Sequence, residues 1–194
     1  GSEMCIRDRN TVVFVLVAVV LNICISTFLA VLIKSLRKKG ARSFFRGWMF
    51  LPAVVPIVAV CYVWLIMFDP ANGVLNQALM ALGMDHPINW LNDPRTALFS
   101  IVLVTLWCDL GYNLVILMSG LDNIPNMFLE AAEIDGANSI QKFFKITLPL
   151  MSRNMLFVVI MTCISYFQVF AQVQIMTQGG PENHTNVIGL NIYN

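Results

Sequence analysis

Two groups of side chains in this 194-residue chain have types and spacings suited to chemistry. The first is a polar stretch running Glu130-Ala131-Ala132, then Asp135-Gly136, then Ile146-Thr147-Leu148-Pro149. Alanine and glycine let another surface approach closely, and carboxylates set orientation and partner choice more than raw affinity. That combination suits docking, as of a short helix set into a groove on a partner. The second group is polar residues embedded in apolar sequence. Asp109 has Asn113 one helical turn on, and Ser165, Gln168 and Gln172 repeat at a 3–4 spacing beside Tyr166, Phe167 and Phe170. Amides, hydroxyls and aromatic faces suit sugar rings in a solute path. The competing reading is interhelical hydrogen bonding, which is common in membrane bundles. Catalytic chemistry finds no support. Cys24, Cys61, Cys108 and Cys163 sit in apolar runs with no CxxC or Cys/His cluster, His86 and His184 stand alone, and no GxxxxGK[ST] occurs. No enzyme activity, metal or cofactor is therefore expected.

The elements that hold these groups follow from composition. Hydrophobic residues make up 58% of the chain and charged residues 12%, against about 25% charged in a soluble domain. Four spans are expected, over 10–33, 44–68, 96–121 and 154–177. Apart from Arg46 near the start of the second, Asp109 is their one charged residue. Each run exceeds the ~20 residues that cross a hydrocarbon core, and helices satisfy their own backbone in lipid. The fold class is all-α integral membrane. A mid-span charge costs roughly 2.5–3.5 kcal/mol on insertion scales, so Asp109 is expected to face protein or a water-filled path. Asn22 reads as packing, and Pro52 and Pro56 as a bend in the second span.

Orientation follows from lysine and arginine. Lys34, Arg37, Lys38, Lys39, Arg42 and Arg46 cluster after the first span with no acid among them. The loop between spans two and three holds Asp69, Asp85 and Asp93 against Arg95. The positive-inside rule places the Lys34–Arg46 loop and the 122–153 segment in the cytoplasm. That segment carries seven charges: Asp122, Glu130, Glu133, Asp135, Lys142, Lys145 and Arg153. It reads as a helical hairpin. Pro125 suits a first turn, and Asn126, Glu130 and Glu133 share one face. Met127, Ala131 and Ile134, with Phe128 and Ala132, make the other. Gly136 is the expected left-handed C-cap, and Ser139 the cap of a second helix. On that helix Ile140, Phe143, Phe144 and Leu148 form an apolar stripe and Gln141, Lys142 and Lys145 a wet one. Pro149 marks a bend toward the bilayer. Residues 1–9 read as a non-native scar outside a single membrane domain, 10–194. Residues 187–193 turn apolar again, as if another span began.

The spacing Glu-Ala-Ala, three residues, Gly, nine residues, Ile, one residue, Leu-Pro resembles the signature loop of binding-protein-dependent ABC importer permeases. Glu130, Ala131, Ala132, Gly136, Ile146, Leu148 and Pro149 meet every fixed position. Gly120-Leu121, Ile124-Pro125, Phe167-Gln168-Val169-Phe170 and Met176-Thr177-Gln178-Gly179-Gly180-Pro181 resemble the sugar-type branch, that of maltose and glycerol-phosphate permeases. Ser26 stands where that branch often has glycine. The resemblance implies an ABC permease-type bundle, with four spans present of an expected six and truncation at both ends. It implies a multi-pass place in a bacterial or archaeal inner membrane, in lipid and away from nucleic acid. Its implied partners are an ABC ATPase dimer that uses the ATP, a second permease subunit and an outer solute-binding protein. The implied function is uptake of a sugar or sugar derivative, coupled through the Glu-Ala-Ala loop and Asp135. The alternatives are a permease for a polyamine, metal or amino acid, and a non-transport membrane scaffold.

Overall fold

The computed structural model describes residues 2–36, 38–178 and 180, with backbone alone for 2–10. Arg37, Gly179, Pro181, His184 and residues 187–193 lie outside the described residues. All described regular structure is helical: α1 (Ser2–Ser35), α2 (Lys39–Val54), α3 (Ile57–Met67), α4 (Val74–Ala81), α5 (Ala97–Asp122) and α6 (Asn126–Ile134) come first. Then follow α7 (Ser139–Lys142), a π-helical turn (Phe143–Thr147), α8 (Leu148–Leu150), α9 (Ser152–Phe167) and α10 (Ala171–Met176). Residues 2–9 of the stretch set aside as a scar are helical and form the start of α1.

Among the described residues two helices are each long and apolar enough to cross a bilayer, Thr11–Ser35 of α1 and Ala97–Asp122. Two more spans exist only if broken pairs are counted as one, α2 with α3 and Ser139–Leu150 with α9. The expected second span is thus interrupted. Pro52 lies inside α2, and the chain leaves helical geometry at Val55-Pro56. Pro56 is the N-cap of α3, in extended backbone, where its missing N–H costs no helical bond. With 11 residues α3 is about 16 Å long, half a hydrocarbon core. No residue of α2 is buried. Phe44, Trp48 and Leu51 are exposed along one side, with the Phe44 and Trp48 rings stacked at 6.3 Å, the pattern of a helix lying in a membrane interface. The expected fourth span is also broken, because α9 ends at Phe167 and α10 begins at Ala171.

The chain forms two compact units. One comprises Gly1–Val20, Val54–Cys108 and Cys163–Asn194. Its core packs Val60, Cys61, Trp64 and Phe68 of α3 with Val104 and Cys108 of α5 and Met176 of α10. Trp64 meets Trp107 edge-on at 5.8 Å, and Phe68 meets Trp90 at 5.6 Å. The segment between α3 and α5 is organised by Asn76, which is 1% exposed. Its Oδ1 accepts from the Ile88 N–H (3.1 Å) and the Trp90 indole (3.0 Å), while its Nδ2 donates to the Ile88 carbonyl (2.9 Å). One buried amide thus replaces a run of backbone pairing.

The second unit comprises Leu21–Ala53 and Asp109–Thr162. Ala30 and Ile33 of α1, Leu114, Leu117, Met118 and Leu121 of α5, and Val158 of α9 share its core with Ile124 and Met151. Inside it, Asn113 Nδ2 donates to Asn22 Oδ1 (2.7 Å) and to Thr162 Oγ1 (3.0 Å), and Ser26 Oγ donates to the same Asn22 oxygen (3.1 Å). One polar network therefore joins α1, α5 and α9. Nearby, α2 and α5 touch backbone to backbone. A Cβ on Gly111 would stand 1.9 Å from the Met49 carbonyl oxygen, a distance that nothing but glycine accommodates.

Gly111→Ala is expected to lower the thermal midpoint of the detergent-solubilised protein, by overpacking of about 1–3 kcal/mol. Gly40→Ala, where nothing lies within 4 Å, is expected to raise it slightly, since alanine is the better helix former by about 1 kcal/mol. Equal shifts for the two variants would refute the close crossing.

Candidate functional site

The 122–153 segment folds as a hairpin whose geometry follows from its caps. Pro125 is the N-cap of α6, in extended backbone, one position before the expected first turn. At the other end Gly136 has φ +76°. The Ala137 N–H reaches the Ala132 carbonyl (2.9 Å) and the Gly136 N–H that of Glu133 (3.1 Å), a Schellman closure. The second arm is capped by Asn138, not Ser139. Asn138 Oδ1 accepts from the Gln141 N–H (2.8 Å), and Gln141 Oε1 accepts from the Asn138 N–H (2.9 Å). This reciprocal box was readable from the Asn-x-x-Gln spacing.

Pro149 shapes the rest of that arm. It has no N–H for the Lys145 carbonyl, and just before it the Leu148 N–H bonds five residues back to Phe143. The chain passes through the π-helical turn and α8 before bending. The bend comes at Met151, two residues after Pro149, and turns the axis by 72° into α9.

Charged side chains fasten the hairpin. Lys142 Nζ donates to Glu133 Oε1 at 2.7 Å, tying the two arms. The Lys34 ammonium donates to the Leu121 carbonyl in the last turn of α5. Arg42 donates to the carbonyls of Lys34 (2.7 Å) and Leu36 (3.2 Å) at the end of α1. Arg46 pairs with Asp122 at 3.0 Å. Cations at helix C-termini satisfy the orphan carbonyls and oppose the dipole. Residues that marked orientation in the sequence thus also close helix ends.

The outer surface of the hairpin is mixed. Glu130, Ala131, Asp135, Gly136 and Pro149 are exposed, and Ile146 and Leu148 are half-buried. Ala132 is turned inward, at 8% exposure. Met127, Ile134, Ile140 and Phe144 are 67%, 86%, 70% and 60% exposed. These four residues of the apolar stripes therefore face outward, while Ala132 is buried and Phe143 and Leu148 are half-buried.

The expected solute-path residues do not share one helical face. Ser165 and Gln168 are exposed, but the break at Gln168–Phe170 separates them from half-buried Gln172 on α10. Tyr166 is a core residue, 1% exposed and packed on Phe14 at 6.1 Å. Asn113 is 4% exposed, and its Nδ2 is committed to Asn22 and Thr162, the interhelical alternative. Asp109 is half-buried on α5. Thr162, Asn76 and Asn138 carry structure that the sequence reading passed over. Among the described residues no cluster of three His, Cys, Asp or Glu could hold a metal.

Residues 22–194 match the family described as "Binding-protein-dependent transport system inner membrane component". The chain is similar to the lactose transport system permease protein LacF of Rhizobium radiobacter, at 37% identity over 96% of this chain and 63% of LacF. It is also similar to the trehalose/maltose transport system permease protein MalF of Thermococcus litoralis, at 34% over 95% of this chain and 61% of MalF. It thus spans about three-fifths of the length of these curated relatives. A crystal structure of a bacterial ABC transporter involved in alginate import matches with a TM-score of 0.88 at 21% identity. That match covers all of this chain and 68% of the other, and it shows the fold.

Asn138→Ala removes the side-chain acceptor of the capping box and leaves only the bond from the backbone N–H of residue 138 to Gln141, a loss of about 1 kcal/mol. Amide exchange across 139–147 is expected to quicken about fivefold while α9 stays protected. Unaltered exchange would show that something other than the box holds the second arm.

Proposed function

Since the chain belongs to the family of binding-protein-dependent transport system inner membrane components, we propose that it is the permease subunit of an importer for a sugar or sugar derivative. The sugar class is supported by the relatives named for lactose and for trehalose/maltose transport. In this reading the hairpin couples the bundle to a separate ATPase subunit on the cytoplasmic side. A second permease subunit completes the pathway, and an outer solute-binding protein delivers the cargo.

The observation that carries the coupling role is the hairpin surface. Its two arms are tied by the Glu133–Lys142 pair and closed by the two caps. It nevertheless presents Glu130, Ala131 and Asp135 beside exposed Met127 and Ile134. Exposed apolar residues ringed by polar ones are what an interface looks like before its partner arrives. Nucleotide-driven closure of the ATPase would move such a hairpin as a body, and α9, joined to it at Met151, would carry the movement into the bundle. The hydrolytic chemistry belongs to the partner. Asp109, Ser165, Gln168 and Gln172 remain the residues proposed to meet solute. Tyr166 packs on Phe14 and Asn113 bonds to Asn22 and Thr162, each within its own unit.

Two measurements test this. Cysteine at Ala131 is expected to crosslink to a co-expressed ATPase subunit, and cysteine at Ala132, which faces inward, to crosslink far less. The reverse order would sink the docking geometry. Gln168→Ala and Asp109→Ala are each expected to cut sugar uptake about tenfold in fully assembled importer, the scale of one lost hydrogen bond to a charged or buried group. Wild-type uptake in both would remove these residues from the path.

A further inference from the structure

Two hollows of the second unit adjoin at the base of the hairpin. One is a cavity of about 400 Å³ whose wall includes Lys34, Lys142, Ser35, Ser139 and Thr147, with Glu133 as its one acid. The other is a groove of about 520 Å³ lined by Ile23, Cys24, Phe28, Phe144, Leu148 and Met155 among others. Val31 and Phe143 border both. Each volume falls in the range of small-ligand sites, roughly 300–1,000 Å³. The polarity of the pair is that of an amphipath, with cations and hydroxyls at one end and hydrocarbon at the other.

We propose that the pair is a binding site for one anionic phospholipid, its phosphate at Lys34 and Lys142 and an acyl chain in the groove. Length supports a lipid. Along α1, Cys24 stands about 15 Å from Lys34, which is half of a ~30 Å hydrocarbon core, the depth of one leaflet. Charge supports an anionic headgroup. The cavity wall holds two lysines against one glutamate, and Glu133 is already paired with Lys142. Each ammonium has three donors; Lys34 gives one to Leu121 and Lys142 one to Glu133, so a phosphate can take others. Placement supports it as well. The site opens at the lysine-rich end of the Thr11–Ser35 span, beside the leaflet whose anionic lipids attract basic segments. Phe28 and Phe144, 67% and 60% exposed, stand at the groove, where lipid tails are the surrounding solvent. A lipid seated there touches α1, the hairpin and Met155 of α9 together. The proposal rests on membrane placement and is independent of the cargo and of ATPase docking.

The test uses the complete importer in nanodiscs of phosphatidylglycerol or phosphatidylcholine, with retained lipid counted by native mass spectrometry after release. Phosphatidylglycerol is expected to be retained preferentially. Lys142→Gln is expected to reduce that preference about fivefold, the worth of one cation near an anionic headgroup. Cys24→Trp, which fills the groove from its exposed side, is expected to lower retention of both lipids while the complex stays assembled. Equal retention of the two lipids by the unaltered importer overturns the proposal, as does unchanged retention in Cys24→Trp. Abolition of the preference by millimolar inorganic phosphate would mark a small-anion site instead and also overturn it.

Discussion

A polar group taken into this bundle must find its partner inside it, because lipid offers none. Asn113 shows the consequence. Its amide lies in a core of leucine and methionine, and it is held there by Asn22 and Thr162 from two other helices. The network cannot form unless α1, α5 and α9 sit in one register, so a costly group becomes a specification of packing. Interhelical hydrogen bonds in membranes are individually modest, averaging about 0.6 kcal/mol, and their stronger effect is on which arrangement is allowed. The Gly111–Met49 crossing adds a steric condition to the polar one.

The same constraint governs the helix ends. Four carbonyls at each C-terminus have no intrahelical donor. Lys34 serves the end of α5 and Arg42 the end of α1, with Arg46 and Asp122 closing the same region. These contacts hold the root of the hairpin against the bundle, while Gly136, Asn138 and the Glu133–Lys142 pair hold its tip. Between root and tip the π-helical turn and the 72° bend at Met151 redirect the chain into α9. The result is a capped hairpin with exposed apolar residues on its outer surface, joined to α9 through that bend.

Much of this was readable in one dimension where the cause is local. Gly136 was identifiable as a left-handed cap because acid and alanine precede it at helical spacing and nothing but glycine is comfortable there. The break near Pro56 was signalled by the proline itself, although two prolines competed. Pro52 is carried within α2, and the break fell at the residue pair Val55-Pro56. The site residues were legible as polar groups in apolar runs, but their assignments were not. Asn113 and Tyr166 have the composition of solute ligands, yet they are spent on Thr162, 49 positions away, and on Phe14. Nothing in local spacing distinguishes an amide that faces a path from one that faces a neighbouring helix.

By itself the sequence determined the class and the hairpin, and it set the expectation of sidedness. Hydrophobic run length, lysine and arginine asymmetry, and capping residues act over a few turns and need no partner. Only the tertiary structure decided that α2 lies as an amphipathic helix before a short α3, that the run after Arg153 is two helices, and which polar side chains bind each other. Those outcomes depend on which helices meet, and the energy of a buried amide or a glycine crossing exists only once two distant segments are in contact.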